Sequence, residues 1–133
     1  MSDRLAIIAD YARAAPIAQW LGVRISGSSD DLQYHLTFNE AHIGNPAIRA
    51  LHGGVIGAFL EFAMQADLHA RALAPISTVS VAIDYLASSR PEDMTGRVKL
   101  LRQGRRIAFL EASGWQADNT RLVAAARGAF RLG

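Results

Sequence analysis

The sequence predicts an α+β protein in which one long helix packs on an antiparallel sheet. The first observation is a nearly continuous apolar stretch from about Gly53 to about Ala72, which is typical of a buried central helix. The second is a set of segments in which apolar and polar residues alternate, two before this helix and four after it. Short turns join most of these strands, and such turns connect antiparallel neighbours.

The predicted elements follow in the order helix, two strands, central helix and four strands. Residues 2–14 predict a helix with Ser2 as its N-cap, and Pro16 predicts a break after it. VRISGS and LQYHLTF predict two strands joined by a turn at SSDD. Residues 39–51 have no clear period and are interpreted as a long loop with a short helical turn. The later strands are predicted at 77–86, 95–103, 106–117 and 121–132, and the last one is either regular or bulged at Gly128.

Length and composition predict one domain, residues 1–133, with residues 1–20 as an N-terminal helical segment. The absence of cysteine excludes disulfides and Cys-ligated metals, and it favours a reducing, cytoplasmic location. Charged residues interrupt the N-terminal apolar runs, so no signal peptide is expected. No run approaches the roughly 20 apolar residues that a membrane span requires.

The net charge is only +2, and the basic residues concentrate at Arg97, Lys99, Arg102, Arg105 and Arg106. No aromatic residues alternate with them, so nucleic-acid binding is not expected. The same residues suit a pocket for a phosphorylated small molecule or the solvated side of a strand pair.

Two other kinds of site are not expected. No G-x-S-x-G motif is present, which argues against a serine hydrolase. The four histidines lack the spacing of metal ligands: His35, His42, His52 and His69. Trp20 and Trp115 are interpreted as packing residues.

The stretch LHGGVIGAFLEF, residues 51–62, places His52, Gly53 and Gly54 at the start of the central helix. Glycines there leave backbone N–H groups uncovered, and the helix dipole adds partial positive charge. Such an end binds anions or stabilises the oxyanion that forms on a carbonyl under attack. For the glycine pair alone, a tight connection from the loop into the helix is the simpler explanation.

Glu61 is a single carboxylate within this apolar stretch. A buried, unpaired carboxylate costs several kcal/mol, so Glu61 must be protonated, paired or in contact with a wet pocket. Small residues share its face and leave room for a ligand: Gly54, Gly57 and Ala58. In that setting the carboxylate suits a general base or a nucleophile. The structural alternative is an ion pair with an arginine of the sheet: Arg90, Arg97 or Arg127.

Helix geometry limits how these groups can cooperate. Gly53 and Glu61 are separated by eight residues, or about 12 Å at ~1.5 Å per residue. Glu61 therefore cannot act on a carbonyl bound at Gly53 of its own chain. A joint site requires a homodimer in which the second helix runs antiparallel to the first.

Three segments resemble hotdog-fold acyl-CoA thioesterases of the phenylacetate-degradation (PaaI-like) type: NPAIRALHGGVIGAFLE, TVSVAIDYL and RQGRRIAFLEASGWQADNTRLVAAARGAF. The resemblance covers roughly residues 20–131. Its most specific part is an asparagine followed by His-Gly-Gly and an acidic residue nine positions after the histidine. It implies a curved antiparallel sheet around the long helix, dimers joined at edge strands, and tetramers built from two dimers.

The resemblance also implies roles for the matched residues in acyl-CoA hydrolysis. The Gly53 N–H would polarise the thioester carbonyl, and His52 would support that loop or bond the thioester. Glu61 would be the base or nucleophile, Asn45 would orient the water or the carboxylate, and Thr78 would hold the water. Substrate-binding roles fall to Gly54, Phe62, Arg90, Arg105 and Arg106, the arginines contacting CoA phosphates. Four apolar helix residues would line the acyl pocket: Phe59, Phe62, Met64 and Leu68. No cofactor is expected.

Two other functions stay open. Hotdog folds include dehydratases and hydratases of acyl thioesters, for which His42 would be the base beside Glu61. They would produce an enoyl thioester, whereas hydrolysis releases a free thiol. The other possibility is a domain that binds acyl-CoA without catalysis.

Overall fold

A computed structural model of the chain describes residues 3–28 and 30–133, so the predicted N-cap Ser2 lies outside the described residues. Two helices come first, α1 over Asp3–Ala14 and α2 over Pro16–Leu21. Pro16 occupies the first turn of α2, where its missing N–H costs nothing. Gly22 ends α2 in the left-handed conformation (φ 67°), which glycine adopts without strain.

Eight strands, one 3-10 helix and one long helix follow in the described residues. The strands are β1 Val23–Ser28, β2 Asp31–Leu36, β3 Ile43–Asn45, β4 Ala50–Leu51, β5 Pro75–Tyr85, β6 Met94–Gln103, β7 Ile107–Trp115 and β8 Leu122–Leu132. A short 3-10 helix covers Glu40–His42, and the long helix α3 runs over Gly53–Ala70.

Six of the strands form one antiparallel sheet in the order β1-β2-β6-β7-β8-β5. The long helix packs on this sheet, so the predicted α+β class is confirmed. In β2, Leu32, Tyr34 and Leu36 are buried while the residues between them are partly exposed, as the alternation predicts. The order leaves β5 with a neighbour on one side only, at an edge of the sheet.

The core explains why α3 is apolar nearly all round. One side of the helix packs against the inner face of the sheet, and another side packs against α1. Phe59, Leu60, Ala63 and Met64 are fully buried as a result. Within residues 3–28 and 30–133, no helix is long and apolar enough to cross a membrane.

Two irregular segments differ in part from what the sequence predicts. The predicted loop 39–51 contains a 3-10 helix, as expected, and also a small antiparallel ladder, β3–β4. Glycine and proline in this segment hide the alternation by which a strand is recognised. The predicted bulge at Gly128 is absent, because the register shift beside it lies on β5 between Thr78 and Ser80. Gly128 instead gives space to the ring of Phe130, which a Cβ at this position would approach to 2.6 Å.

Candidate active site

The start of α3 is capped by the side chain that precedes it. His52 is the N-cap, and its Nδ1 accepts a hydrogen bond from the Gly54 N–H at 2.8 Å. The Gly53 N–H, by contrast, has no acceptor among the described residues. The Gly53 carbonyl accepts a hydrogen bond from the Tyr85 hydroxyl at 2.7 Å, which ties the helix start to the end of β5. The helix therefore presents one fixed, uncommitted N–H at its positive end.

Asn45 lies in the short ladder that leads into this helix start. Its Cα partner across the ladder is Ala50, and the His52 N–H donates to the His42 carbonyl at 2.8 Å. The Asn45 side chain is exposed, and its Oδ1 accepts a hydrogen bond from the Ala47 N–H at 3.1 Å. The amide oxygen is thus engaged in the turn, while the amide nitrogen has no acceptor among the described residues.

Glu61 is held by a hydroxyl and not by a cation. The Thr78 hydroxyl donates to Glu61 Oε2 at 2.8 Å, and Gln65 Nε2 donates to Thr78 Oγ1 at 3.1 Å. This chain of bonds runs from α3 to β5 and back, and it fixes the direction of the Thr78 proton. Among the described residues, no arginine or lysine forms an ion pair with Glu61. Arg97, one of the cations considered as its partner, pairs with Asp31 at 3.2 Å.

Close packing of α3 on β5 positions this carboxylate. A Cβ at Gly57, one turn before Glu61, would lie 2.6 Å from Ile83 Cδ1 of β5. Glycine at this position therefore lets the helix approach the edge strand closely enough for Glu61 to reach Thr78. Glu61 and Gln65 on α3 thus meet Thr78 on the edge strand, and all three side chains are partly exposed.

The structure thus separates the predicted residues into two groups. His52, Gly53, Gly54 and Asn45 lie at the start of α3, whereas Glu61 and Thr78 lie two helical turns further along. At ~1.5 Å per residue the helix places about 12 Å between Gly53 and Glu61. One chain therefore does not bring the carboxylate and the uncommitted N–H together.

The three predicted CoA-binding arginines lie in exposed loops at different ends of the sheet. Arg90 follows β5, and its backbone N–H donates to Gln116 Oε1 at 2.9 Å. Its neighbour Ser89 accepts a hydrogen bond from the Leu51 N–H, so this loop lies beside the start of α3. Arg105 and Arg106 lie in the turn between β6 and β7, near the opposite end of β5.

Phe62 lies in the core and not at the surface near Glu61. It is 2% exposed, and its ring stacks on Tyr11 of α1 with the ring centroids 5.4 Å apart. Phe59, Met64 and Leu68 are also fully buried. The packing of α1 and the sheet on α3 accounts for all four residues that the sequence suggested for an acyl pocket.

The base required by the dehydratase alternative is also enclosed. His42 is fully buried, and its Nε2 lies 3.2 Å from the Trp20 carbonyl, to which it donates. The ring packs against the indole of Trp20, with centroids 4.9 Å apart. His42 therefore anchors α2 on the 3-10 helix and does not face an open site.

The sequence did not indicate a cavity of about 360 Å³ beside the helix start. It is lined by Ile17, Trp20, Ala41, Ile43, His52, Gly54, Val55 and Ala58. Two of these residues belong to α2, whose six residues are too few to show a helical period. The only sequence signal was a pair of large apolar residues, Ile17 and Trp20, spaced three apart after a proline.

Comparisons with known proteins bear on the family and the fold. Residues 42–131 match a family described as the acyl-CoA thioesterase N-terminal domain. A comparison with curated protein sequences gave no match. Among solved structures, a Chromobacterium violaceum protein is 31% identical, with a TM-score of 0.76 over 98% of this chain and 92% of that one.

Two more distant structures share the fold. The Escherichia coli PaaI protein of the phenylacetic acid degradation operon has a TM-score of 0.84 at 18% identity, over 98% of this chain and 94% of that one. Mouse thioesterase superfamily member 2 has a TM-score of 0.84 at 20% identity, with full coverage of both chains. The hotdog fold implied by the sequence resemblance is therefore confirmed.

Proposed function

This chain belongs to the acyl-CoA thioesterase family, and we propose that its active site is assembled from two copies of the chain. In each site one copy supplies the Gly53 N–H and the other supplies the Glu61 carboxylate. The observation that carries the proposal is the separation of these two groups on one rigid helix. Among the described residues, moreover, the Gly53 N–H has no acceptor and the Glu61 carboxylate has no cation as a partner.

The edge strand β5 supplies a surface on which the two copies can meet. It has eleven residues, and within residues 3–28 and 30–133 no strand pairs with one side of its backbone. Ile76, Val79 and Leu86 are exposed on or beside it. A long apolar edge strand is a template for pairing with another chain. Antiparallel pairing of two β5 strands brings the two α3 helices side by side in opposite directions, as the shared site requires.

Glu61 acts as the general base on water in this proposal. Thr78 fixes one carboxylate oxygen, and the other has no partner among the described residues. The Thr78 hydroxyl keeps a free lone pair, because it donates once and accepts once. One water can therefore donate one hydrogen to Glu61 and the other to Thr78, with its own lone pair directed at the substrate.

The reaction balances without a cofactor. Glu61 takes a proton from water as the water oxygen bonds to the thioester carbon, and the carbonyl π electrons move to oxygen. The Gly53 N–H and the positive end of α3 stabilise this oxyanion. When the intermediate collapses, the C–S bond breaks, the sulfur leaves with the electron pair, and the proton on Glu61 passes to it. The products are a carboxylic acid and the CoA thiol.

The other predicted residues have supporting roles. His52 holds the Gly54 N–H and so fixes the helix start without touching the reacting atoms. The Asn45 amide nitrogen, which has no acceptor in the described part of the chain, orients the attacking water or the carboxylate of the second copy. Arg90, Arg105 and Arg106 contact the phosphates of CoA. The dimers associate further into tetramers, in a cytoplasmic enzyme.

Replacement of Gly53 tests the proposed oxyanion contact directly. Gly53 is the first residue of α3, and His52 before it is extended (φ −61°, ψ 133°), so proline fits this position. Gly53→Pro removes the N–H and keeps the helix. We expect kcat for thiol release to fall by about 10²–10³-fold, the usual cost of one oxyanion donor.

Gly53→Ala is the matched control, because it keeps the N–H. Its Cβ meets Tyr85 at an ordinary contact distance of 3.5 Å, so we expect nearly unchanged activity. The measurement is thiol release from short, medium and aryl acyl-CoAs. Equal activity of the alanine and proline variants would contradict the role of the Gly53 N–H, and an absence of thiol release by the wild type from every substrate would contradict the proposed function.

A further inference from the structure

The cavity of about 360 Å³ at the helix start is lined almost entirely by apolar residues. Apart from the imidazole of His52, every described lining residue is apolar or glycine, and no carboxylate, lysine or arginine is among them. Ligand pockets usually have volumes of roughly 300–1,000 Å³, so this cavity is near the lower end. It therefore suits a small, uncharged, apolar group.

The cavity exists because α3 has small residues where α2 passes it. Gly54 and Ala58 are one turn apart on α3 and form one wall. Ile17 and Trp20 are three residues apart on α2 and line the cavity from that helix. A Cβ at Gly54 would lie only 3.0 Å from His52 Nδ1, and a larger residue at Ala58 would take space from the cavity.

The outer wall is firmly held although it is open to solvent. Trp20 is 52% exposed and Ile17 is 46% exposed, so neither side chain is fully used in packing. The backbone of Trp20 is nevertheless tied to the buried His42, whose ring also supports the indole. A fixed, half-exposed apolar wall beside a polar helix start is typical of a binding surface.

The position of the cavity indicates which part of a thioester occupies it. His52 and Gly54 line the cavity, and they flank Gly53, whose N–H is the proposed contact of the thioester oxygen. Two groups leave the thioester carbonyl, the acyl chain and the CoA moiety. CoA carries amides and phosphates, which an uncharged apolar cavity does not satisfy.

We propose that α2 and the small-residue face of α3 form the acyl pocket, and that it selects uncharged apolar acyl groups of moderate size. This inference rests on the proposed function, because it places the thioester carbonyl at Gly53. It assigns a specificity-determining role to Ile17, Trp20 and Ala58. In this proposal these three residues are the acyl contacts, in place of four buried ones: Phe59, Phe62, Met64 and Leu68.

Variants that narrow the cavity test this assignment. Ile17→Trp adds bulk from the α2 side, and Ala58→Leu adds bulk from the α3 side. For each, we expect kcat/KM with hexanoyl-CoA and phenylacetyl-CoA to fall at least about tenfold relative to kcat/KM with acetyl-CoA. Ile7→Trp is the matched control for Ile17→Trp, since Ile7 is also exposed on a helix but does not line the cavity. It should leave these ratios unchanged.

Trp20→Ala tests the opposite direction, because it widens the pocket. We expect the preference to move toward longer acyl chains, with decanoyl-CoA gaining on hexanoyl-CoA. If the narrowing variants lowered kcat/KM for all acyl lengths equally, the cavity would hold the pantetheine arm, and the inference would be overturned. Unchanged ratios in all three variants would overturn it as well. In both cases the wild type still releases thiol, which separates this failure from a failure of the proposed function.

Discussion

Two carboxylates on the same helix, six residues apart, have opposite surroundings. Asp67 is 3% exposed, and it accepts hydrogen bonds from Arg71 Nε at 2.7 Å and from the Tyr34 hydroxyl at 3.0 Å. Glu61 is partly exposed, forms no ion pair among the described residues and accepts one hydrogen bond from Thr78. Asp67 has the ion pair with an arginine that the sequence left open as an alternative for Glu61.

The difference shows that one helix can carry a carboxylate that stabilises the fold and another that is available for catalysis. Burial, and next the charge of Asp67, raise the pKa of Tyr34, so this phenol remains a neutral donor to the carboxylate. One Asp67 oxygen joins α3 to Tyr34 of β2, and the other accepts from Arg71 at the end of α3. Glu61 keeps a free oxygen at the edge of the sheet, which is what a base requires.

Glu61→Gln should have the largest effect on activity. The amide keeps the size of the side chain and can still accept from Thr78, but it cannot take a proton from water. We expect thiol release to fall by about two to three decades, with thermal stability and oligomeric state unchanged. A steady-state assay with unfolding curves on the same samples checks this. Wild-type activity in the variant would show that Glu61 is not the base, and the two carboxylates would then not differ in function.

Asp67→Asn should lower the stability and leave the activity nearly unchanged. It removes the charge that pairs with Arg71, and we expect the free energy of unfolding to fall by about 1.5–3 kcal/mol. The partial exposure of the Arg71 side chain keeps this cost below that of a fully buried pair. Because Asp67 does not touch the proposed site, kcat of the folded fraction should stay near the wild-type value. Denaturant unfolding measures the first quantity, and a loss of kcat with full stability would contradict the account.

Thr78→Val should have a smaller effect than either change. Valine keeps the β-branched shape in β5 but removes the hydroxyl that orients Glu61. We expect kcat to fall about tenfold with little change in KM, since Thr78 positions the base and its water. Thr78→Ser keeps the hydroxyl and should restore most of kcat. Equal kcat values for the serine and valine variants would show that the hydrogen bond does not matter.

The sequence predicted much of the fold because its signals were local. Alternation in LQYHLTF and in the later strands identified the sheet, and the apolar run identified α3. The bonds that distinguish the two carboxylates are not local, since Tyr34 lies 33 residues from Asp67 and Thr78 lies 17 residues from Glu61. Only the family resemblance suggested a role for Thr78.

The proposed acyl contacts are the part of the site that the sequence predicts least. A helix that is apolar nearly all round gives no sign of which side is open, so the sequence suggests Phe62 for the substrate, whereas in the structure its ring stacks on Tyr11 of α1. Trp20 was interpreted as a packing residue, because nothing in the sequence indicated that α2 would leave it half exposed beside His52. The packing of short helices decides how exposed such side chains are, and hydrophobic periodicity in the sequence does not predict this packing.

The most direct test of the shared site is complementation between two inactive variants. Chains with Glu61→Gln and chains with Gly53→Pro are refolded together in equal amounts, and native mass spectrometry verifies that mixed dimers form. In a mixed dimer one site combines the intact Glu61 of one chain with the intact Gly53 of the other. With random pairing, thiol release should recover to about one quarter of the wild-type level. Mixed dimers without any recovery would show that the N–H and the carboxylate do not act together across two chains, and would contradict the account.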